Sequence, residues 1–198
     1  MSDWPTSLLT ERMEEYEPRS ITLPGEYRRS AVAAIVREGD LGAELFFIQR
    51  AEHPNDPWSG HMAFPGGGVE QSDASAMDAA KRETREEVAV DLDKAGEPLG
   101  RLDDIQARSG SGFLPMVVTP YVFKLTGVVK PQPNEEVQDT LWIPVKDLLD
   151  GRNSSTMAYN WKGRELSLPC FRVAGKVIWG LTYQMVMHLF GAVSWEIA

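Results

Sequence analysis

Three consecutive glycines, Gly66-Gly67-Gly68, are followed within a few residues by a stretch, 73–88, that contains neither Gly nor Pro and is dominated by Ala, Met, Lys, Arg and Glu. Those are good helix formers, so 73–88 reads as a helix, with Asp73 placed to cap its start. The glycines behave in the opposite way. Lacking side chains, they let the backbone approach a ligand closely, and their carbonyls or amides can point at a metal ion or a phosphate.

Within the helix the acids are not scattered. At about 100° per residue, with Glu83 as origin, Glu86 falls at about −60° and Glu87 at about +40°, so the three carboxylates share an arc of roughly 100°. Ala76 and Ala79 lie on the same arc and leave room for an ion and its ligand. Met77, Ala80, Thr84 and Val88 form an adjoining stripe suited to packing on a sheet, while Asp78, Lys81 and Arg85 fall on the solvent side. Taken alone, three glutamates on a helix are better described as a solvated face laced by an (i, i+4) pair from Arg82 to Glu86. The glycine loop in front changes the reading. Three like charges on one arc repel one another, and a divalent cation would relieve that repulsion.

The rest of the chain reads as one domain, 29–198, behind an N-terminal extension, 1–28. The extension mixes Pro5, Pro18 and Pro24 with a charged run at 10–15 long enough for about two helical turns. Apolar runs at 31–36 and 45–48, separated by Gly39-Asp40 and Gly42, predict two strands joined by a turn. Pro54, Asn55, Pro57, Ser59 and Gly60 make 51–60 a loop. Further strands are expected at 99–102, 116–125, 141–145 and 166–173, with a helical turn at 146–149, a turn at Gly175 and a closing helix at 181–192.

The formal charge of −9 repels nucleic acid at long range, so general DNA or RNA binding is not expected and a phosphate ligand needs a local cation or arginines. Cys170 is the sole cysteine, which excludes an internal disulfide. The N-terminal residues are charged where a secretory signal would be apolar, and the cytoplasm is the expected compartment. The most apolar stretch, 177–193, is interrupted by Thr182, Gln184 and His188, which suits a packed helix better than a membrane span.

The motif resembles that of the Nudix hydrolase family, a Gly, five residues, a Glu, seven residues, then Arg-Glu-apolar-x-Glu-Glu-x-Gly-apolar. Arg82-Glu83, Glu86-Glu87 and Val90 match; Thr84 stands in an apolar slot and Ala89 in the final glycine slot. Counting from Gly67, five residues lead to Asp73 and eight then lead to Arg82; counting from Gly68 restores seven but puts Ala74 in the acidic slot. The expansion is similar to the coenzyme A pyrophosphatase branch, whose loop reads Phe-Pro-Gly-Gly followed by two acids three apart, here Phe64-Pro65-Gly66-Gly67 with Glu70 and Asp73. Val118-Thr119-Pro120-Tyr121-Val122 and Ile178-Trp179-Gly180-Leu181-Thr182 resemble further segments of that branch, and the likeness runs over roughly residues 29–190. Upstream, Arg50 and Gly60 can be aligned, but the branch's second basic residue has no counterpart around Asn55 or Asp56.

The resemblance implies an α/β fold, an α/β/α sandwich with a mixed sheet, a catalytic loop-helix and a C-terminal helix. It implies Mg²⁺-dependent attack of water on a nucleoside diphosphate linked to another group, with Mn²⁺ as an alternative ion. Glu83 and Glu87 would be metal ligands, Glu86 would hold a second ion or assist the water, and Arg82 would tie the helix to the loop. A carbonyl of Gly67 or Gly68 would complete the shell, with Gly66, Gly67 and Gly68 lining the substrate. Glu135 or Glu136 is the expected ligand or base from a downstream loop, read otherwise as a solvated acid. Arg50 is placed to neutralise a substrate phosphate, or else forms a surface ion pair. His61 is a weaker alternative base. Trp179 and Tyr183 either stack on a base or belong to the core, and Cys170 is a buried small hydrophobe. Expected substrates are coenzyme A or its acyl derivatives, otherwise ADP-ribose-like, nucleotide-sugar or dinucleotide compounds; a non-catalytic binding protein of the same fold is the reading from another class. The partner is thus a small nucleoside diphosphate derivative, and a homodimer is compatible with the sequence.

Overall fold

The computed structural model describes residues 5–54, 58–109 and 112–194. Helix α1 (Thr6–Glu15) precedes the hairpin of β1 (Arg28–Gly39) and β2 (Gly42–Arg50), in which Val36 faces Leu45. The loop after β2 returns through β3 (Met62–Ala63) and β4 (Gly66–Gly68) into α2 (Ala76–Val88) and the short α3 (Leu92–Ala95). Asn55, Asp56 and Pro57, which the sequence reading placed in that loop, lie outside the described residues. Strands β5 (Gly96–Arg101), β6 (Ile105–Ser109), β7 (Gly112–Leu125) and β8 (Val137–Pro144) follow, then α4 (Val145–Leu149), β9 (Ser154–Trp161), β10 (Arg164–Val173), β11 (Lys176–Trp179) and α5 (Gly180–Ala192).

Among the described residues these strands form an eight-stranded sheet and a separate three-stranded one. The large sheet runs β3-β2-β1-β7-β5, with β4 also on β1, β6 on β7 and β8 on β2. It is mixed, because β1 and β7 are parallel while their other neighbours are antiparallel. The small sheet is β11-β10-β9.

Both faces of the large sheet are covered, as its near-continuous apolar runs require. On β1, Ala31, Ala33 and Ile35 join Phe46, Ile48, Ala79, Ala80 and Val88 in one core beneath α2. The alternate residues Val32, Ala34 and Val36 join Leu9, Phe47, Phe171, Ile178, Val186 and Phe190 in the other. Fully burying a Phe such as Phe46 or Phe47 contributes about 1.5–3 kcal/mol. The result is the expected helix, mixed sheet and helix layering, with α5 in the second outer layer; its Met185, Val186, Leu189 and Phe190 are buried. Among the described residues, no helix is long and apolar enough to cross a membrane.

The N-terminal segment packs closely on this frame. Leu9 and Met13 enter the core, the Tyr16 hydroxyl donates to Asp103 at 2.7 Å, and the Arg19 backbone N–H donates to the same oxygen at 2.8 Å. The Ile21 N–H donates to Asp104 at 2.9 Å.

Candidate active site

The glycine loop forms a strand because β1 needs a close partner. Ser30, Ala31 and Val32 face Gly68, Gly67 and Gly66. A Cβ on Gly66, where φ is +149°, would lie 2.3 Å from the Ala31 carbonyl oxygen and 2.5 Å from Val32 Cα, so no side chain fits there. The flanking hydrogen bonds Ala33 N–H to Pro65 O and Val69 N–H to Arg29 O make Ala31 and Gly67 the hydrogen-bonded pair of this ladder. Gly66 and Gly68 therefore turn their polar groups away from β1, toward α2. The Gly66 N–H donates to Glu87 Oε2 at 2.9 Å, and the Gly68 carbonyl accepts from Arg82 Nη2 at 3.0 Å. Gly67 contributes space: a Cβ there would meet Glu83 Oε1 at 2.4 Å.

Helix α2 begins later than the composition predicts. Ser75, not Asp73, is the N-cap, and its hydroxyl accepts from the Asp78 N–H at 3.2 Å. Asp73 is engaged elsewhere. Its carboxylate takes two bonds from Arg82, Nε at 2.9 Å and Nη2 at 3.1 Å, and also accepts from the Glu70 N–H. Arg82 holds this carboxylate below the ordinary Asp range. The extra residue of the motif is thus absorbed in the short turn before the helix, and Asp73 rather than Ala74 occupies the acidic slot.

The two departures from the motif have local explanations. Thr84 is fully buried in its apolar slot, but its hydroxyl donates back to the Ala80 carbonyl at 2.7 Å, so no polar group is stranded. Ala89 caps α2 in the left-handed region, φ 55° and ψ 27°, a conformation that favours glycine.

The three glutamates differ sharply in environment. Glu87 is 2% exposed, the Glu83 side chain 17% and the Glu86 side chain 55%. Burial pushes the Glu87 carboxyl up to about 8; the Gly66 N–H and Arg50 oppose this, while Glu83 and Glu136 reinforce it. Burial likewise raises Glu83, against the pull of Arg82. Arg82 Nη1 lies 3.0 Å from Glu83 Oε1 and 3.1 Å from Glu86 Oε2, so one guanidinium links the loop, Asp73 and two of the acids.

Glu136 and Arg50 come to the same end of the helix. The Gln132 and Asn134 N–H groups donate to the Val88 and Glu87 carbonyls at 2.8 and 2.9 Å, which lays the 132–134 segment across the C-terminus of α2. The Ala51 N–H donates to the Glu136 carbonyl, and Arg50 pairs with Val137 across β2 and β8. Glu136 is exposed, and its charge is felt by both Glu83 and Glu87. Glu135 lines a shallow groove beside it with Ala51, Glu52 and Gln138. His61 sits opposite Arg50, whose N–H donates to its carbonyl at 3.0 Å; its ring lies 4.7 Å from that of Trp179. Tyr183 instead packs on Phe171 at 4.9 Å in the core, and Cys170 is buried.

Hard oxygen donors of this kind suit a divalent cation such as Mg²⁺. A buried carboxyl whose proton is held by desolvation is the group an ion would discharge. Among the described residues the acids are not drawn into a ready-made ion cage, because Arg82 stands between Glu83 and Glu86 and Glu87 turns to Gly66. Sequence reasoning did not single out Ser75 as the cap of α2; it expected Arg82 to tie the helix to the loop, but not that Asp73, nine positions earlier, is the acid that Arg82 holds.

A carboxylate-rich helix locked to a glycine strand on a mixed sheet is an arrangement suited to holding a cation against a phosphate. The NUDIX domain family model matches residues 27–161, and the chain belongs to that family. A Nudix hydrolase, NudL of Yersinia pestis, itself uncharacterized, is 29% identical over 151 residues, 76% of this chain and 72% of its own length. An uncharacterized Schizosaccharomyces pombe protein is 39% identical over 108 residues, 53% of this chain but only 33% of that protein. A MutT/nudix family protein from Enterococcus faecalis shares the fold with a TM-score of 0.56 at 15% identity, over 96% of this chain and 69% of that one. The Ap4A hydrolase of C. elegans, in a binary complex, gives 0.51 at 20% identity over 62% and 83%. The enzyme class that follows is a Nudix pyrophosphohydrolase, and such hydrolases generally use divalent metal ions such as Mg²⁺.

Proposed function

We propose that this chain hydrolyses coenzyme A or acyl-coenzyme A to 3′,5′-ADP and 4′-phosphopantetheine, or to its acyl derivative, in the cytoplasm. The observation that carries the reading is the Asp73 to Arg82 pair, which keeps an acid in the motif's slot while admitting the extra residue typical of the coenzyme A branch. The terminal segment 178–182 adds to it.

Glu83, Glu86 and Glu87 would hold Mg²⁺, or Mn²⁺ in its place, together with a glycine-loop carbonyl. The sequence expectation of a carbonyl from Gly67 or Gly68 is revised: Gly67 pairs with Ala31 and the Gly68 carbonyl accepts from Arg82, so Gly66 is the better ligand. The ion, when bound, clamps the diphosphate oxygens and lowers the pKa of water. Arg82 fixes loop and helix together. Glu136, exposed at the mouth, accepts the proton of the attacking water; Glu86, more than half exposed though paired with Arg82, is the other group that could do so. Arg50 neutralises the departing phosphate, and Gly66, Gly67 and Gly68 line the diphosphate. The thiol or thioester end is untouched, because the bond that breaks is a P–O bond of the phosphoanhydride, with water supplying the new P–O bond.

The missing second basic residue upstream favours a second reading with the same chemistry, on ADP-ribose-like, nucleotide-sugar or dinucleotide substrates. Loss of turnover is not favoured, since Thr84 satisfies its hydroxyl within α2, Ala89 lies past the carboxylates at the helix C-cap, and all the charged residues of the motif are present. A panel of coenzyme A, acetyl-coenzyme A, ADP-ribose, a nucleotide sugar and a dinucleoside polyphosphate decides. Coenzyme A is expected to give the highest kcat/KM; a tenfold preference for any other member would overturn the first reading in favour of the second.

A further inference from the structure

Three rings stand in a row beside the catalytic end of the large sheet. Tyr159 lies 5.4 Å from Trp179, and Trp179 lies 4.7 Å from His61, all three half-buried. They come from distant parts of the chain, the β9–β10 hairpin, the end of β11 and the loop entering β3. Tyr159 faces Leu166 on β10 whereas Trp179 faces Cys170, four residues farther along. Four residues span about 13 Å of extended strand. The hairpin must therefore coil inward, and the two side chains lean together, for the rings to meet.

Among the described residues, the outer part of the hairpin has an apolar face that joins neither core. Met157, Tyr159 and Trp161 alternate on β9, and Leu168 and Leu166 oppose the first two on β10. Leu166 is 37% exposed, and the others are only half-buried. At the far end of the row, the register Gln49↔Met62 puts His61 opposite Arg50. Opposed residues project from the same face of a sheet with Cβ atoms about 4.5–5.5 Å apart. Arg50 in turn acts on the charge of Glu87. Rings, guanidinium and carboxylates thus follow one another along one end of the molecule, an order that matches base, diphosphate and metal site in a nucleoside diphosphate.

We propose that Tyr159, Trp179 and His61 form the recognition site for the planar base of the substrate, delivering its diphosphate past Arg50 to the glutamates. The proposal rests on the hydrolase reading above for the location of the diphosphate. It makes the β9–β10 hairpin, which lies outside the strand set that holds the carboxylates, the specificity element. Stacking of a base on an aromatic side chain is worth about 1–3 kcal/mol, or roughly five- to a hundredfold in affinity.

The test is calorimetric binding of α,β-methylene-ADP, which is not cleaved at that bridge, and of base-free methylenediphosphonate, both with Mg²⁺. Trp179→Leu and Tyr159→Leu are expected to weaken the nucleotide about tenfold or more and leave methylenediphosphonate unchanged, while Trp179→Phe stays close to wild type. Equal weakening of both ligands, or of neither, would overturn the proposal. Tyr159 sits on a hairpin away from the main cores, so its variant decides if Trp179→Leu does not fold. Base-dependent loss of binding in a protein that cleaves no diphosphate would refute the hydrolase reading alone; cleavage without that loss would refute the aromatic site alone.

Discussion

The backbone N–H of Gly66 donates to the carboxylate of Glu87 at 2.9 Å across the junction of β4 and α2. The glycine strand and the acidic helix are thereby one hydrogen-bonded unit, and the most buried of the three acids is the one that the strand holds.

Burial of Glu87 ties the proposed metal binding to stability. A carboxyl raised from 4.5 to about 8 binds its proton more tightly when folded, so the metal-free fold loses stability as pH climbs through that window. Glu87→Gln is expected to raise the melting temperature of metal-free protein at pH 8 by several degrees, with the difference vanishing toward pH 4.5. Adding Mg²⁺ should stabilise wild type and not the variant. Thermal melts at the two pH values with and without Mg²⁺ check this.

The three glycines should respond differently to alanine. Gly66→Ala collides with backbone, and a cost of about 2–4 kcal/mol is expected. Gly67→Ala meets only the end of the Glu83 side chain, so it should displace that carboxylate and reduce kcat with little loss of stability. Gly68→Ala meets nothing within 4 Å and should be nearly silent. Denaturant titration beside kcat separates the three.

Ala89 carries a conformation that costs a non-glycine residue about 1–2 kcal/mol, partly offset by the greater entropy of glycine in the unfolded chain. Ala89→Gly is therefore expected to stabilise the fold by about 0.5–1 kcal/mol without changing kcat. A shift in the denaturation midpoint at constant slope is the readout.

Asp103 anchors the N-terminal segment. Burial raises its carboxyl, but the Arg19 N–H, the Tyr16 hydroxyl and the Arg19 side chain outweigh this and leave it lowered from 3.8. A depressed carboxyl stabilises the fold above its unfolded pKa, and that contribution disappears as pH falls through the folded value. Asp103→Asn should cost about 2–3 kcal/mol at pH 7 and flatten the acid limb below about pH 4. Urea titrations across that range measure both.

Much of this architecture is written in local patterns. The short continuous apolar run 31–36 predicts β1, and both of its faces are buried as a covered strand requires. The arc of Glu83, Glu86 and Glu87 follows from spacing alone. What spacing does not convey is the gradient of burial across that arc, since it depends on β4 and the 132–134 segment closing over Glu87 and not over Glu86. Asp73 looks like a cap by composition, yet a bidentate guanidinium nine residues away competes better for its carboxylate than the backbone does. The three-stranded sheet was half-seen: β10 carries an apolar run, whereas β9 presents Ser154, Ser155, Thr156 and Asn160 to solvent and its Met157, Tyr159 and Trp161 do not form a continuous run. Asp103 gave no signal, because its partners Tyr16 and Arg19 lie more than eighty positions away, and Asp104 is held by Ile21 and Thr119 from separate parts of the chain.

Under the proposed function, Glu83, Glu86 and Glu87 would hold a divalent ion that would assist attack of water on a phosphoanhydride. The most direct test of this is phosphorus NMR of coenzyme A incubated with the protein and Mg²⁺, run beside EDTA-treated protein and Glu87→Gln. The account predicts 3′,5′-ADP and 4′-phosphopantetheine with wild type and Mg²⁺ only, with turnover falling at least about a thousandfold in the variant. Equal cleavage in all three samples would contradict it.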